Sequence, residues 1–207
     1  MKIPLSCRLY GILDLGYVKP AEAAAMAARL LAGRVGIVQL RAKNCGDDVI
    51  CSVADEALPL CREAGVPLIL NDHPYLVGKT GADGVHVGQD DMPVAEVRKI
   101  VGPDAIVGLS THSLLQALAS EDSAPDYIGF GPLFATPTKP DYQAIGLEDI
   151  AEVHRRVTHP IFCIGGIKRE NLPQVVAAGA RRAVIVSGIL QAADPAAYCR
   201  DCLAILS

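Results

Sequence analysis

Thirteen residues, 129–141, read Gly-Phe-Gly-Pro-Leu-Phe-Ala-Thr-Pro-Thr-Lys-Pro-Asp and crowd two hydroxyls, an ammonium and several backbone N–H groups into one loop. Thr136, Thr138 and Lys139 carry the polar groups, while Pro137 and Pro140 restrict φ around them. A restrained loop rich in donors suits an anion, phosphate above all. An ordinary surface turn has a similar composition, so the decision rests on what other strand ends carry.

Gln39-Leu-Arg-Ala-Lys43 is the second such stretch. Side chains alternate along a strand, which puts Gln39, Arg41 and Lys43 on one face and Leu40 and Ala42 on the other. Two cations side by side in a barrel mouth need an anion or a carboxylate. A structural ion pair is the competing reading. Asn71-Asp72 and Gln89-Asp90-Asp91 supply one carboxylate from each of two neighbouring loops. Aspartate is common in caps and turns, but beside Arg41 and Lys43 this pair suits Mg²⁺, which takes one or two protein carboxylates and completes its shell with water and phosphate oxygens. His86, inside Asp-Gly-Val-His-Val-Gly, reads as a satisfied core or supporting histidine. Ser110 is placed to touch a ligand oxygen, and Thr111 or Ser113 could cap a helix. Gly165-Gly166 and Val186-Ser187-Gly188 let backbone N–H groups come close to a ligand, where this kind of fold grips phosphate.

The elements that must position these residues are short β-type runs alternating with helical patterns. Strands are expected at 8–13, 36–40, 67–70, 84–87, 106–109, 127–130, 161–164 and 183–186. Helices are expected at 20–31, 47–64, 93–101, 113–119, 147–157, 171–178 and 195–205, with a weak one at 75–79. Asp47 is a candidate N-cap and Pro93 suits a first helical turn. Eight units of about 25 residues predict an α/β fold, a (β/α)8 TIM barrel forming one domain over 1–207. A doubly wound open sheet would usually have fewer strands and one glycine-rich crevice.

The bulk composition is consistent with this. The 207 residues are 51% hydrophobic and 4% aromatic, so the core is expected to be Ala, Val, Leu and Ile. Lys and Arg total 19 against 23 Asp and Glu, a net charge of −4, which leaves no basic excess for nucleic acid. No apolar run reaches the ~20 residues that span a bilayer. Seven cysteines, irregularly spaced and without a signal peptide, point to a reducing cytoplasm. Cys199 and Cys202 form a C-x-x-C pair on the last helix, far from a second pair, and read as packing residues. The expected partners are therefore small molecules.

Taken in order, Gln39–Lys43, Asn71-Asp72, 83–93, 108–112, 131–139, 164–167 and 186–189 resemble the thiamine phosphate synthase family across nearly the whole chain. That resemblance implies a (β/α)8 transferase joining 4-amino-2-methyl-5-(diphosphooxymethyl)pyrimidine to 4-methyl-5-(2-phosphooxyethyl)thiazole or its 2-carboxy form, giving thiamine phosphate and diphosphate. By position it implies that Gln39, Arg41, Lys43, Asn71, Ser110 and Lys139 bind the pyrimidine diphosphate. Asp72 and Asp91 would hold Mg²⁺, and Thr136, Thr138, Gly166, Val186 and Ser187 the thiazole phosphate. The expected chemistry is a dissociative substitution in which Arg41, Lys43, Ser110 and Lys139 are the catalytic set and no protein nucleophile is needed. Two departures are visible: Leu13-Asp14 where the family often ends its first strand Thr-Asp, and Val186-Ser187-Gly188 for a commoner Val-Ser-Ala. The alternatives are a related thiazole tautomerase using His112, and a non-catalytic phosphate-ligand binding protein.

Overall fold

Runs of aliphatic and β-branched residues, punctuated by Gly, Pro and Asp, form eight parallel strands that close on themselves. The computed structural model describes residues 3, 4, 6–136 and 143–207. The first half comprises β1 (Leu9–Asp14), a 3-10 turn at Pro20–Glu22, α1 (Ala23–Ala32), β2 (Ile37–Arg41), α2 (Asp47–Glu63), β3 (Leu68–Asn71), α3 (Pro74–Thr80), β4 (Gly84–Val87) and α4 (Val94–Val101). Then come β5 (Ile106–Thr111), α5 (Leu114–Ser123), β6 (Tyr127–Phe130), α6 (Ile150–Arg156), β7 (Ile161–Cys163), α7 (Leu172–Ala177), β8 (Ala183–Ile185), α8 (Ser187–Leu190) and α9 (Pro195–Leu206). Pairing of β8 with β1 closes the barrel, with Leu9 opposite Ala183.

Alternation along each strand divides the apolar residues into two layers. In β2, Val38 and Leu40 join the layer between strands and helices, while Ile37 joins the barrel interior. The outer layer is built of Ala, Val, Leu and Ile, as expected from composition. The interior differs. Tyr10, Tyr127 and Phe162 meet edge to face at centroid distances of 5.7, 5.4 and 5.6 Å, above a floor that includes Ile3 and Cys7. Three of the nine aromatic residues meet here, while Phe130, Tyr17, Phe134 and Tyr198 belong to the outer layer.

Several boundaries shift for local reasons. Gly46 is the N-cap of α2 and Asp47 its first residue, so Asp47 and Asp48 act on the helix dipole rather than as a cap. Pro59 is tolerated inside α2 because it is exposed, and water can satisfy the carbonyl it leaves unbonded. Pro93 caps α4 from just outside the helix. Ser113 caps α5, accepting from the Gln116 N–H at 3.2 Å. The predicted helix at 20–31 opens as a 3-10 turn, and α8, a single turn directly after β8, was not predicted at all. Cys199 and Cys202 are buried and unpaired, and burial pushes both thiols up to about 12. They are packing residues: a Cβ on Gly33, the C-cap of α1, would lie 2.5 Å from that of Cys199. No helix among the described residues is long and apolar enough to cross a membrane.

His154 of α6 has its Nε2 buried without a hydrogen-bond partner. Burial, reinforced by Arg181 and Arg182, pushes its imidazole from 6.5 down to about 4. Between those values the unfolded chain holds the extra proton, so stability should rise with pH across that window and be lost as pH falls through it. Unfolding free energy measured by urea titration from pH 4 to 6.5 should show this slope, and His154→Leu should flatten it.

Candidate functional site

The C-terminal ends of the strands open into one cavity of about 930 Å³, open solvent included. On one side it is lined by Gln39 and Arg41 of β2, Asn71 of β3 and Ser110 of β5. On the other it is lined by Thr136 after β6, Gly166 after β7, and Val186 and Ser187 after β8. His86 and His112 line it as well. Lys43, Asp72 and Asp91 occupy turns beyond the strand ends and do not line the cavity wall. Strand β2 ends at Arg41, so alternation no longer governs Lys43, which is exposed. Thr138 and Lys139 lie outside the described residues.

Arg41 is 8% exposed and Asp14, its register partner on β1, is 1% exposed. Arg41 Nη1 donates to Asp14 Oδ2 at 2.5 Å, while Asp14 Oδ1 accepts from the Gly16 N–H at 2.8 Å. The ion pair anticipated as the competing reading of Arg41 is therefore present. It uses one of the five guanidinium N–H donors and orients the others. A buried cation already matched by a carboxylate can take a further anion through its remaining donors.

Below this pair, polar side chains from five strands form one hydrogen-bonded chain. Gln39 Nε2 donates to Tyr10 Oη at 2.7 Å, and Tyr10 Oη lies 2.8 Å from Tyr127 Oη. Tyr127 Oη lies 3.0 Å from His86 Nδ1, and His86 Nε2 lies 2.9 Å from Ser110 Oγ. Burial raises both phenols well above their ordinary range, which keeps them neutral hydroxyls. Gly108 makes the crossing possible, since a Cβ there would stand 2.2 Å from Tyr127 Cζ and 2.5 Å from His86 Nδ1. The backbone carbonyl of Ser110 accepts from Gln89 Nε2 at 2.6 Å. His86 is thus a supporting histidine, as its place inside a strand suggested.

The two carboxylates sit at the ends of neighbouring strands. Asp72 takes φ +62° directly after β3, its N–H donates to the His86 carbonyl at 2.9 Å, and its Oδ2 accepts from Asn71 Nδ2 at 2.5 Å. Asp91 Oδ2 accepts from the Gly88 N–H at 2.7 Å. The described residues contain no group of three or more His, Cys, Asp or Glu that could hold a metal. A pair of hard oxygen donors fits Mg²⁺ only where water and substrate supply the remaining ligands, which is that ion's usual habit.

The opposite wall is made of backbone. The Leu133 and Phe134 N–H groups bond the Ile164 and Gly165 carbonyls at 2.8 and 3.1 Å, binding the loop after β6 to the end of β7. Gly166, at φ +66°, is required there because a Cβ would fall 2.6 Å from that of Phe134. Asn171 clasps the same turn, donating to the Gly166 carbonyl at 2.9 Å and accepting from the Lys168 N–H at 2.7 Å. The single-turn α8 starts at Ser187, with N–H groups that have no partner inside the helix. A short extra helix beside loops seven and eight is the phosphate-binding arrangement of this architecture.

Asp14, Tyr10, Tyr127 and Asn171 were not singled out from sequence for the site. Asp14 could have been, because it ends an inward-alternating strand next to the one that carries Arg41. Tyr10 and Tyr127 look like ordinary buried strand residues, and only the closed barrel brings their hydroxyls together.

Comparison with known proteins agrees with this geometry. Residues 9–189 match the family described as "Thiamine monophosphate synthase". The chain is 40% identical over 201 residues to a thiamine-phosphate synthase from Chloroflexus aurantiacus, covering 97% of this chain and 93% of that one. It is 38% identical over 200 residues to one from Methanocella arvoryzae, covering 96% and 94%. A thiamine phosphate pyrophosphorylase structure from Pyrococcus furiosus superposes with a TM-score of 0.87 at 29% identity, covering 97% and 96% of the two chains.

Asp14→Asn should leave the Arg41 charge buried without its counter-ion. The expected cost is about 3–5 kcal/mol of folding stability, read by denaturant unfolding, with Asp14→Glu retaining part of it.

Proposed function

Because the chain belongs to the thiamine monophosphate synthase family, we propose that it joins a hydroxymethylpyrimidine diphosphate to a thiazole phosphate, forming thiamine phosphate and releasing diphosphate. One observation carries this reading: a single cavity has charged and amide side chains on one wall and glycine-rich backbone with hydroxyls on the other. Two differently built anion-holding walls suit two phosphorylated reactants held face to face.

In this reaction the bond from the pyrimidine methylene carbon to the diphosphate oxygen breaks, and the oxygen keeps the electron pair. The thiazole nitrogen then supplies its lone pair to the same carbon. The electron-rich aminopyrimidine stabilises positive charge on the methylene, so the path is dissociative and needs no protein nucleophile. Gln39, Asn71 and Ser110 hold the pyrimidine. Arg41, Lys43 and Lys139 meet the charge that builds on the leaving diphosphate. Thr136, Thr138, Gly166, Val186 and Ser187 hold the thiazole phosphate in line for attack. Asp72 and Asp91 would bind Mg²⁺, and that ion, when bound, supplies further charge neutralisation at the leaving group. The free cysteines are in keeping with a reducing compartment, the cytoplasm.

The second reading, a thiazole tautomerase, draws on His112. Its Nδ1 lies 2.5 Å from the Gly131 carbonyl and must donate to it, which makes Nε2 the basic nitrogen of a ring that lines the cavity. It ranks second because such a reaction has no use for the Asp72 and Asp91 pair.

Purified protein should release diphosphate only when given both substrates and Mg²⁺, and EDTA should stop the release. Asp91→Ala and Lys139→Ala should each slow turnover by about 2.7–4 kcal/mol if each group acts like a single oxyanion donor. Thiazole phosphate binding without diphosphate release would instead favour the tautomerase or a non-catalytic binding protein.

A further inference from the structure

We propose that the N-terminal face of the barrel, opposite the cavity, carries a second anion site in which Arg8, Arg181 and Arg182 hold a small phosphate-type oxyanion. The site lies outside the catalytic machinery and does not depend on how the cavity is read.

Two arginines are buried among the described residues, and they are satisfied very differently. Arg41, 8% exposed, has the carboxylate of Asp14. Arg182, 9% exposed, stands directly before β8, and no ion pair among the described residues includes it. Its Nε donates to the Cys7 carbonyl at 3.1 Å, and its guanidinium carbon lies 6.0 Å from the centre of the Phe162 ring. A carbonyl and a ring face offer only partial charges. They leave a buried cation and its remaining N–H donors to be matched.

Two further guanidinium groups sharpen this deficit. The Ala183 N–H donates to the Arg8 carbonyl at 2.9 Å, which sets Arg8 beside Arg182 across the β1–β8 seam. Arg8 Nη1 donates to the Arg181 carbonyl at 3.3 Å. Neither Arg8 nor Arg181 has a carboxylate partner among the described residues. Burial, and then the charges of Arg8 and Arg181, push the Arg182 guanidinium below its ordinary range. The end of α6 completes the cluster. A Cβ on Gly179 would lie 3.5 Å from that of Ala151, so the loop leading to Arg181 runs against α6 one turn before His154. Burial, and then Arg181 and Arg182, push the His154 imidazole down, and its Nε2 is buried without a partner.

Three unmatched cations thus meet beside an imidazole that they help to keep neutral. A phosphate-type oxyanion answers the deficit with up to two negative charges and several acceptor atoms that planar guanidinium forks can share. A monocarboxylate brings one charge and two acceptors, which Arg182 alone would use.

In ¹⁵N spectra of arginine-labelled protein, the Nε signals of Arg8, Arg181 and Arg182 should shift saturably as inorganic phosphate is added. Each signal is assigned by its loss in the corresponding Lys variant, and the readout at Arg8 and Arg181 stands even if Arg182→Lys fails to fold. Potassium chloride at equal ionic strength should leave the signals in place. Arg181→Ala, at an exposed position, should weaken phosphate binding read at Arg8 and Arg182 by roughly ten- to a hundredfold. Phosphate should also raise the unfolding free energy of the wild type more than that of Arg181→Ala, a difference that cancels whatever phosphate does in the cavity. Signals that ignore phosphate, or follow chloride equally, would overturn the proposal and leave three solvated arginines. Signals that move with protein concentration instead would overturn it in favour of carboxylates from a second copy of the chain.

Discussion

Closing eight parallel strands into a barrel turns alternate side chains into an enclosed interior, where any polar group must find its partner within the ring. The rest of the molecule follows from how that constraint is met. Near the mouth, the opposed charges of Asp14 and Arg41 satisfy each other across the β1–β2 register. One level down, Gln39, Tyr10, Tyr127, His86 and Ser110 satisfy one another across five strands. Deeper still the interior is apolar, with Phe162, Ile37 and Ile69. Polar groups that the ring can match lie inside it, and the remaining ones lie at the rim.

The architecture was legible because its signal is repeated eight times: an aliphatic run, a polar turn, then a helical pattern. Errors at single boundaries, such as the cap of α2 or the 3-10 opening before α1, did not alter the count or the alternation. The single-turn α8 was hidden because four residues are too few to show a helical period. Within the site, residues whose type is unusual for their place were readable: Arg41 in a strand, paired glycines after another, Ser110 at a strand end. Residues whose type is ordinary for their place were not. Tyr10 and Tyr127 each look like buried strand aromatics, and their pairing across 117 positions exists only in three dimensions.

Lys43 marks the edge of what alternation can say. The rule that put Gln39 and Arg41 on one inward face holds while the strand continues, and β2 stops at Arg41. Beyond a strand end, the turn decides direction. Asp72, at φ +62°, shows the same change of regime one strand later, where a left-handed residue redirects the chain as β3 ends.

The edge-to-face cluster of Tyr10, Tyr127 and Phe162 has an electrical consequence. Rings packed in this way admit no water, so the cavity is backed by a medium of low permittivity rather than by solvent. Fields from Arg41 and from the rim backbone are screened from above but hardly at all from beneath. The same charges on an open surface would act over a shorter range and more weakly. A few buried rings thereby raise the effective strength of the charge that Arg41 presents above them.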